Sequence, residues 1–149
     1  MKNGKKNIDC PFCNNEVSSR IIYKDDFVIA FSTNIPITPG HILVCPKRHV
    51  AKIDQLSDEE LKAIKSSIIR LKNNIVKSLN AEGFNMAWNE GEIAGQTVGH
   101  LHFHIVPRKA GDEGVYKYEP RKFLYRPGSR SKSPEEELRK IAELIKKNL

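Results

Sequence analysis

Residues 95–108 read GQTVGHLHFHIVPR and place His100, His102 and His104 at alternate positions, in a chain of 149 residues that has only five histidines. Their alternation with Leu101, Phe103 and Ile105 is the period of a β-strand, whose successive side chains take opposite faces. The stretch therefore reads as a strand with three imidazoles on one face and three core side chains on the other. At a rise of roughly 3.4 Å per residue, adjacent histidines stand roughly 6.8 Å apart and the outer two about 13 Å. Zn–N bonds are about 2.0–2.1 Å long, so the outer two would strain to share one ion, and the three must be divided between jobs. The bland alternative is a solvated polar face. Against it stand the adjoining Gly95, Gln96 and Thr97: turn N–H groups, an amide and a hydroxyl donate to phosphate oxygens, and a neutral imidazole attacks phosphorus.

Working outward, the other two histidines, His41 and His49, lie in residues 39–50, PGHILVCPKRHV. HILVCP reads as a short buried strand closed by Pro46. Upstream, RIIYKDDFVIAFST is two β-rich runs around Asp25-Asp26, a hairpin pattern. Ser57 with Glu60 forms a capping box, and Leu61, Ile64, Ile68, Leu71, Ile75 and Leu79 then recur at helical steps, placing one apolar stripe along a long helix. Such a stripe serves either core or a subunit interface. GFNMAWN reads as a further strand, and the histidine run as a strand over VGHLHFHIV. Residues 112–132 show no period and read as an irregular segment. Ser133-Pro134 and Glu136 open a final helix over about 133–148, with Leu138, Ile141, Ala142 and Ile145 inward. The expected fold is α+β: an antiparallel sheet of about five strands, one long helix and a C-terminal helix, in one domain over 1–149.

Composition narrows the class. Hydrophobic residues make up 39% and charged residues 29%, the proportions of an ordinary globular protein. No apolar run approaches the roughly 18 residues of a membrane span. The basic start MKNGKK leads into no signal-peptide stretch, so the expected location is the cytoplasm, where thiols stay reduced. A net charge of +7 favours anionic partners, although much of the excess sits at the ends, where solvated termini explain it equally. No single-strand RNA signature or aromatic stacking platform is evident, so neither nucleic acid nor a membrane is an expected partner.

Cys10 and Cys13, in CPFC, are spaced to present two thiolates to one tetrahedral ion. Two more ligands are needed and there is no second CxxC, while Cys45 falls in an apolar strand as a buried thiol. His49, just after one strand, and His100, at the start of the histidine run, complete a structural Zn²⁺ site of Cys10, Cys13, His49 and His100. A redox CxxC pair is the competing reading, although the helix context of thioredoxin-like motifs is absent.

Taken together, NEGEIAGQTVGHLHFHIVPR, PGHILVCPKRH and CPFC resemble the histidine triad superfamily of nucleotide hydrolases and transferases, over about Cys10 to Gly111. ILVCP, AGQTV and PRKAGD are similar to the fragile-histidine branch, which cleaves dinucleoside polyphosphates. The CPFC knuckle and NEGE resemble small bacterial members. The resemblance implies a nucleotidyl-histidine mechanism: His102 attacks the α-phosphorus, with its second ring nitrogen held by a backbone carbonyl. His104 binds the α-phosphate and assists the leaving group, and His41 buttresses the histidines. Gln96 and Thr97 donate to the phosphate and Asn89 positions phosphate or sugar. Water then releases a nucleoside monophosphate without a catalytic metal. Relatives hold the ribose with Asp or Asn eight residues before the PGH histidine; here that position is Thr33, followed by Asn34. Homodimers are the implied assembly and a purine nucleotide the implied substrate. Dinucleoside polyphosphates are favoured by the fragile-histidine-like runs and by Arg108, Lys109, Arg121 and Lys122, which attract extra phosphates. Adenosine 5'-phosphoramidates are the alternative, and a nucleotide-binding regulator with incidental hydrolysis is the rival of a different class.

Overall fold

The computed structural model describes residues 8–112 and 132–149, so Arg121, Lys122 and nearly all of the predicted irregular segment lie outside the described residues. The RIIYKDDFVIAFST run folds as the hairpin of β1 (Ile21–Lys24) and β2 (Val28–Ser32). Its turn is tied by Asp25 Oδ1, which accepts from the amides of Phe27 and Val28. Next come β3 (Ile42–Pro46), α1 (Asp58–Leu79), β4 (Gly83–Ala87), β5 (Phe103–Arg108) and α2 (Glu135–Lys146). The strands form one antiparallel sheet in the order β1-β2-β3-β5-β4, as the expected α+β architecture requires.

All five residues of β2 and of β3 are buried, so the middle of the sheet is covered on both faces. One face carries Val28, Ala30, Ile42, Val44, Phe103 and Ile105 beneath α1 and α2. The other carries Ile29, Phe31, Leu43 and Cys45, with Val17 and Phe12 of the amino-terminal segment against them. His104 pairs with Leu43 in the ladder and so belongs to this second face, opposite the helices.

Helix α1 starts where the capping box predicts: Ser57 Oγ accepts the amide of Glu60, and Glu60 Oε1 accepts the amide of Ser57. Asn80 in the left-handed region, at φ 55°, ends it. Ile64, Leu71 and Ile75 point into the core, but Leu61 is 44% exposed, together with Ile69 and Val76. The stripe's first member is therefore turned outward, and in the first turn of α1 it is Glu60, bonded to Arg48, that is buried. Among the described residues, no helix is long and apolar enough to cross a membrane.

The histidine run is where sequence and structure differ most. The ladder begins at Phe103, and residues 98–102 form bends and irregular backbone instead of strand. Only His104 is on a strand. Leu101 donates its amide to Val50 O rather than to a ladder partner, which diverts the chain toward the segment after β3. His100 and His102 are thereby carried toward His49 and the knuckle.

A candidate hydrolytic site beside a four-ligand metal centre

The first arm of the site is the PGH turn. Gly40 takes φ 87°, and its backbone runs so close to Leu79 and Pro107 that a side chain there would collide with them. The turn delivers His41, 1% exposed, just before β3. Ile37 N–H donates to His41 Nδ1 at 3.0 Å, and His41 Nε2 lies 3.0 Å from His104 Nδ1. The amide can only donate, so His41 accepts at Nδ1 and carries its proton on Nε2. That proton is given to His104 Nδ1, which leaves the neutral His104 ring with its own proton on Nε2.

His102 is set the opposite way. Its Nδ1 donates to the main-chain oxygen of His100 at 2.7 Å, so the lone pair is on Nε2. Burial lowers its proton affinity below the ordinary histidine value, against the contrary pull of the His100 carbonyl, and this favours the neutral ring. The His102 and His104 rings stand 5.1 Å apart, and Phe12 packs edge-on against His102 at 5.2 Å. The sequence reasoning missed three contributors: Phe12 as packing, Ile37 N–H as the source of the histidine polarity, and His100 as the residue whose oxygen holds His102. Only Phe12 left a signal, as the aromatic inside CPFC.

Around these histidines the expected phosphate and sugar groups take varied positions. Asn89 is 5% exposed and its Oδ1 has no hydrogen-bond partner among the described residues, while Nδ2 reaches Gly95 O at 3.5 Å. Gln96 braces its own loop: Oε1 accepts from Gly91 N and Nε2 donates to Ala51 O. Thr97 is exposed on that loop. Thr33 is buried, with Oγ1 accepting the amide of Ile35, and half-buried Asn34 accepts from Ser133 N through its main-chain oxygen. Arg108 is not a spare cation for distal phosphates. Its guanidinium is forked onto Asp112, with Nη2–Oδ1 at 2.8 Å and Nε–Oδ2 at 2.9 Å, and also donates to Asn85.

The second centre adjoins the first. The ligand atoms of Cys10, Cys13, His49 and His100 lie within 4.8 Å of one another and are arranged to hold a metal ion. His100 Nδ1 is 3.5 Å from Cys10 Sγ and 3.4 Å from Cys13 Sγ, and His49 Nδ1 is 3.4 Å from Cys13 Sγ. A tetrahedral Zn²⁺ with bonds of about 2.3 Å to sulfur and 2.0–2.1 Å to nitrogen has S···N edges of about 3.6 Å, so the donor set fits. His100 Nε2 donates to Pro46 O at 2.8 Å, which frees Nδ1 as the ligand nitrogen. Burial pulls the His100 imidazole down to about 4, the Pro46 carbonyl opposing and His49 and His102 assisting, so the ring is neutral as ligation requires. Cys45, fully buried under the knuckle, has its thiol pushed up by burial and by the nearby Cys10 and Cys13, in keeping with an inert thiol.

Residues 14–111 match the family described as HIT domain. A HIT-like protein of Methanocaldococcus jannaschii is 38% identical over 115 residues, covering 74% of this chain and 85% of its own. The bis(5'-adenosyl)-triphosphatase of Dictyostelium discoideum is 38% identical over 94 residues, 64% of this chain and 63% of that one. A Zn-bound histidine triad family protein from Mycobacterium smegmatis superposes with a TM-score of 0.69 at 29% identity, over 94% of this chain and 95% of that one. With these likenesses and two paired histidine centres on one sheet face, the chain belongs to the HIT, or histidine triad, family.

Proposed function

We propose that this protein is a nucleotide hydrolase that cleaves at the α-phosphorus of dinucleoside polyphosphates through a covalent nucleotidyl-histidine. The observation that carries the reading is the opposite polarity of two adjacent rings: His102 offers a lone pair at Nε2, and His104 holds a proton at Nε2. One ring is a nucleophile and the other a donor, which an in-line displacement needs on its two sides. His102 Nε2 forms a bond to phosphorus as the bond to the leaving oxygen breaks, and His104 stabilises the departing charge with its Nε2 proton. Water then attacks the phosphorus and releases the nucleoside monophosphate and free His102. Asn89, Gln96 and Thr97 hold the phosphate, His41 keeps the polarity of His104, and Thr33 or Asn34 faces the ribose. The similarity to the Dictyostelium triphosphatase supports this substrate class.

Cys10, Cys13, His49 and His100 hold a structural zinc in this reading, and the ion takes no part in the displacement. The protein acts as a homodimer. Its support is β4, which among the described residues is an edge strand paired to β5, with Met86 at 44% and the following Trp88 at 42% exposure, together with exposed Leu61, Ile69 and Val76 on α1. Sedimentation of the purified chain tests it, and a monomer at micromolar concentration would refute it.

The deciding experiment incubates the protein with diadenosine triphosphate, diadenosine tetraphosphate and an adenosine 5'-phosphoramidate, with rapid acid-free quenching to catch the intermediate. The expected result is AMP from the dinucleotides and a labelled peptide containing His102. Turnover of the phosphoramidate alone would replace the substrate class. Tight nucleotide binding with no turnover would leave a regulator instead.

A further inference from the structure

The four-ligand centre has a closed side and an open side. Cys10 and His100 are 5% and 1% exposed, sealed between the knuckle and the sheet. Cys13 and His49 are half-buried, and both line a cavity of about 360 Å³ between the amino-terminal segment and the β1–β2 hairpin. A fully enclosed structural metal site offers a solute no route to its ligands; this one has Cys13 and His49 among the lining residues of a pocket large enough for a small molecule. The same wall carries two exposed cations, Lys24 and Lys47, and three neutral hydrogen-bonding side chains, Asn14, Asn15 and Ser18. No carboxylate lines it among the described residues. Two carboxylates adjoin it: Asp25, held by the Tyr23 hydroxyl and two amides and attracted by the Lys47 charge, and Glu16, which accepts from Asn14 Nδ2.

We propose that this pocket is a modification site in which Cys13 attacks anionic low-molecular-weight disulfides, the glutathione disulfide type being the chemical class. Lys24 and Lys47 draw the carboxylates of such a molecule to the pocket, and the side chains of Asn15 and Ser18 receive its peptide groups. The Cys13 thiolate attacks one sulfur of the disulfide, the S–S bond breaks, a Cys13 mixed disulfide forms and one small thiolate leaves. Cys10, whose sulfur lies within 4.8 Å of that of Cys13, then attacks the Cys13 sulfur. This forms a Cys10–Cys13 disulfide and expels the second small thiolate. Two protein thiolates have been oxidised, one disulfide has been reduced to two thiols, and a metal held by the centre loses two ligands and is released. Cys45 takes no part, since it is 0% exposed and lines no part of the pocket. The inference does not rest on the hydrolase reading, because its products are a protein adduct and a free metal ion.

The test treats zinc-loaded protein with three disulfides: anionic oxidised glutathione, neutral hydroxyethyl disulfide and cationic cystamine. Intact mass follows the adduct and a chromogenic chelator follows released zinc. The Cys10→Ser variant traps the first adduct for peptide mapping. The expected order is anionic, then neutral, then cationic, after division by each reagent's rate with a free thiol, with about tenfold or more between the extremes at low salt. The adduct should map to Cys13, and 1 M salt should erase the order in the unmodified protein. Changing Lys24→Gln and Lys47→Gln together should erase it without salt. A cationic or absent preference, an adduct on Cys45, or an order that survives both salt and the lysine changes would overturn the proposal.

Discussion

The main-chain oxygen of His100 accepts the Nδ1 proton of His102 at 2.7 Å, while the ring of the same His100 lies 3.4–3.5 Å from the sulfurs of Cys13 and Cys10. One residue thus belongs to both centres, by its ring to the four-ligand cluster and by its carbonyl to His102, the proposed nucleophile. Stripping the metal with a chelator should therefore lower kcat by about tenfold or more, the usual scale for a supporting hydrogen bond beside a metal site, with little change in KM. Loss of the Nδ1–H signal of His102 in imidazole ¹⁵N NMR should accompany it. Unchanged kcat in metal-free, folded protein would show the two centres to be independent.

Replacing the proposed nucleophile should give the most severe effect. His102→Ala should abolish formation of the covalent intermediate and reduce kcat by more than the roughly 10²–10⁴-fold typical of a lost proton-transfer group, while nucleotide affinity is largely kept. Calorimetric titration with AMP alongside turnover measurements separates the two quantities.

The relay from Ile37 N–H through His41 to His104 makes a subtler claim. His41→Asn removes the ring that passes the proton polarity on, and His104 then loses its preference for the Nε2–H tautomer. The expected outcome is a fall in kcat of about 10²-fold with KM nearly constant, and a shift in the His104 ¹⁵N pattern. A purely structural role for His41 would instead lower the melting temperature and leave that pattern intact.

Glu60 predicts a pH dependence of stability that involves neither centre's ligands. Burial pushes its carboxyl up, but hydrogen bonds from Arg48 and Ser57 and the Arg48 charge outweigh this, so it lies below the ordinary 4.5. Above pH 4.5 the carboxylate is charged in both states and its stabilisation is complete. As pH falls below 4.5 the unfolded chain binds the proton first, and the advantage is gone once pH is below the folded value. Glu60→Gln should cost about 1–2 kcal/mol at pH 7, at the low end for a charged cap because Arg48 is 43% exposed, and should flatten that acid limb. Urea melts at pH 3, 4, 5 and 7 measure both.

Gly40→Ala should destabilise the protein by about 1–3 kcal/mol, because φ 87° is strained for any side chain and the new Cβ meets Leu79 and lies 3.1 Å from Pro107 Cγ. The displaced turn carries His41, so turnover should fall in the same variant. An unchanged melting temperature would show that α1 yields at Leu79.

By itself, the sequence determined the elements and the donor types. Ser57 with Glu60 set the start of α1, the runs around Asp25 set the hairpin, and spacing singled out Cys10, Cys13, His49 and His100, while the roles expected of His102, His104 and His41 came from the family resemblance. Those are local features, legible because caps, turns and side-chain periods depend on neighbours in the chain. The tertiary structure decided the rest. The Leu101 amide bonds Val50 instead of a ladder partner, so that the strand starts only at Phe103 and His100 is brought to the knuckle. Arg108 turns to Asp112, and Leu61 faces out. The polarity of His104 and His102 depends on Ile37 N–H and the His100 carbonyl, backbone groups that every sequence supplies. Their partners are chosen only when distant segments pack together, so no residue identity announces them.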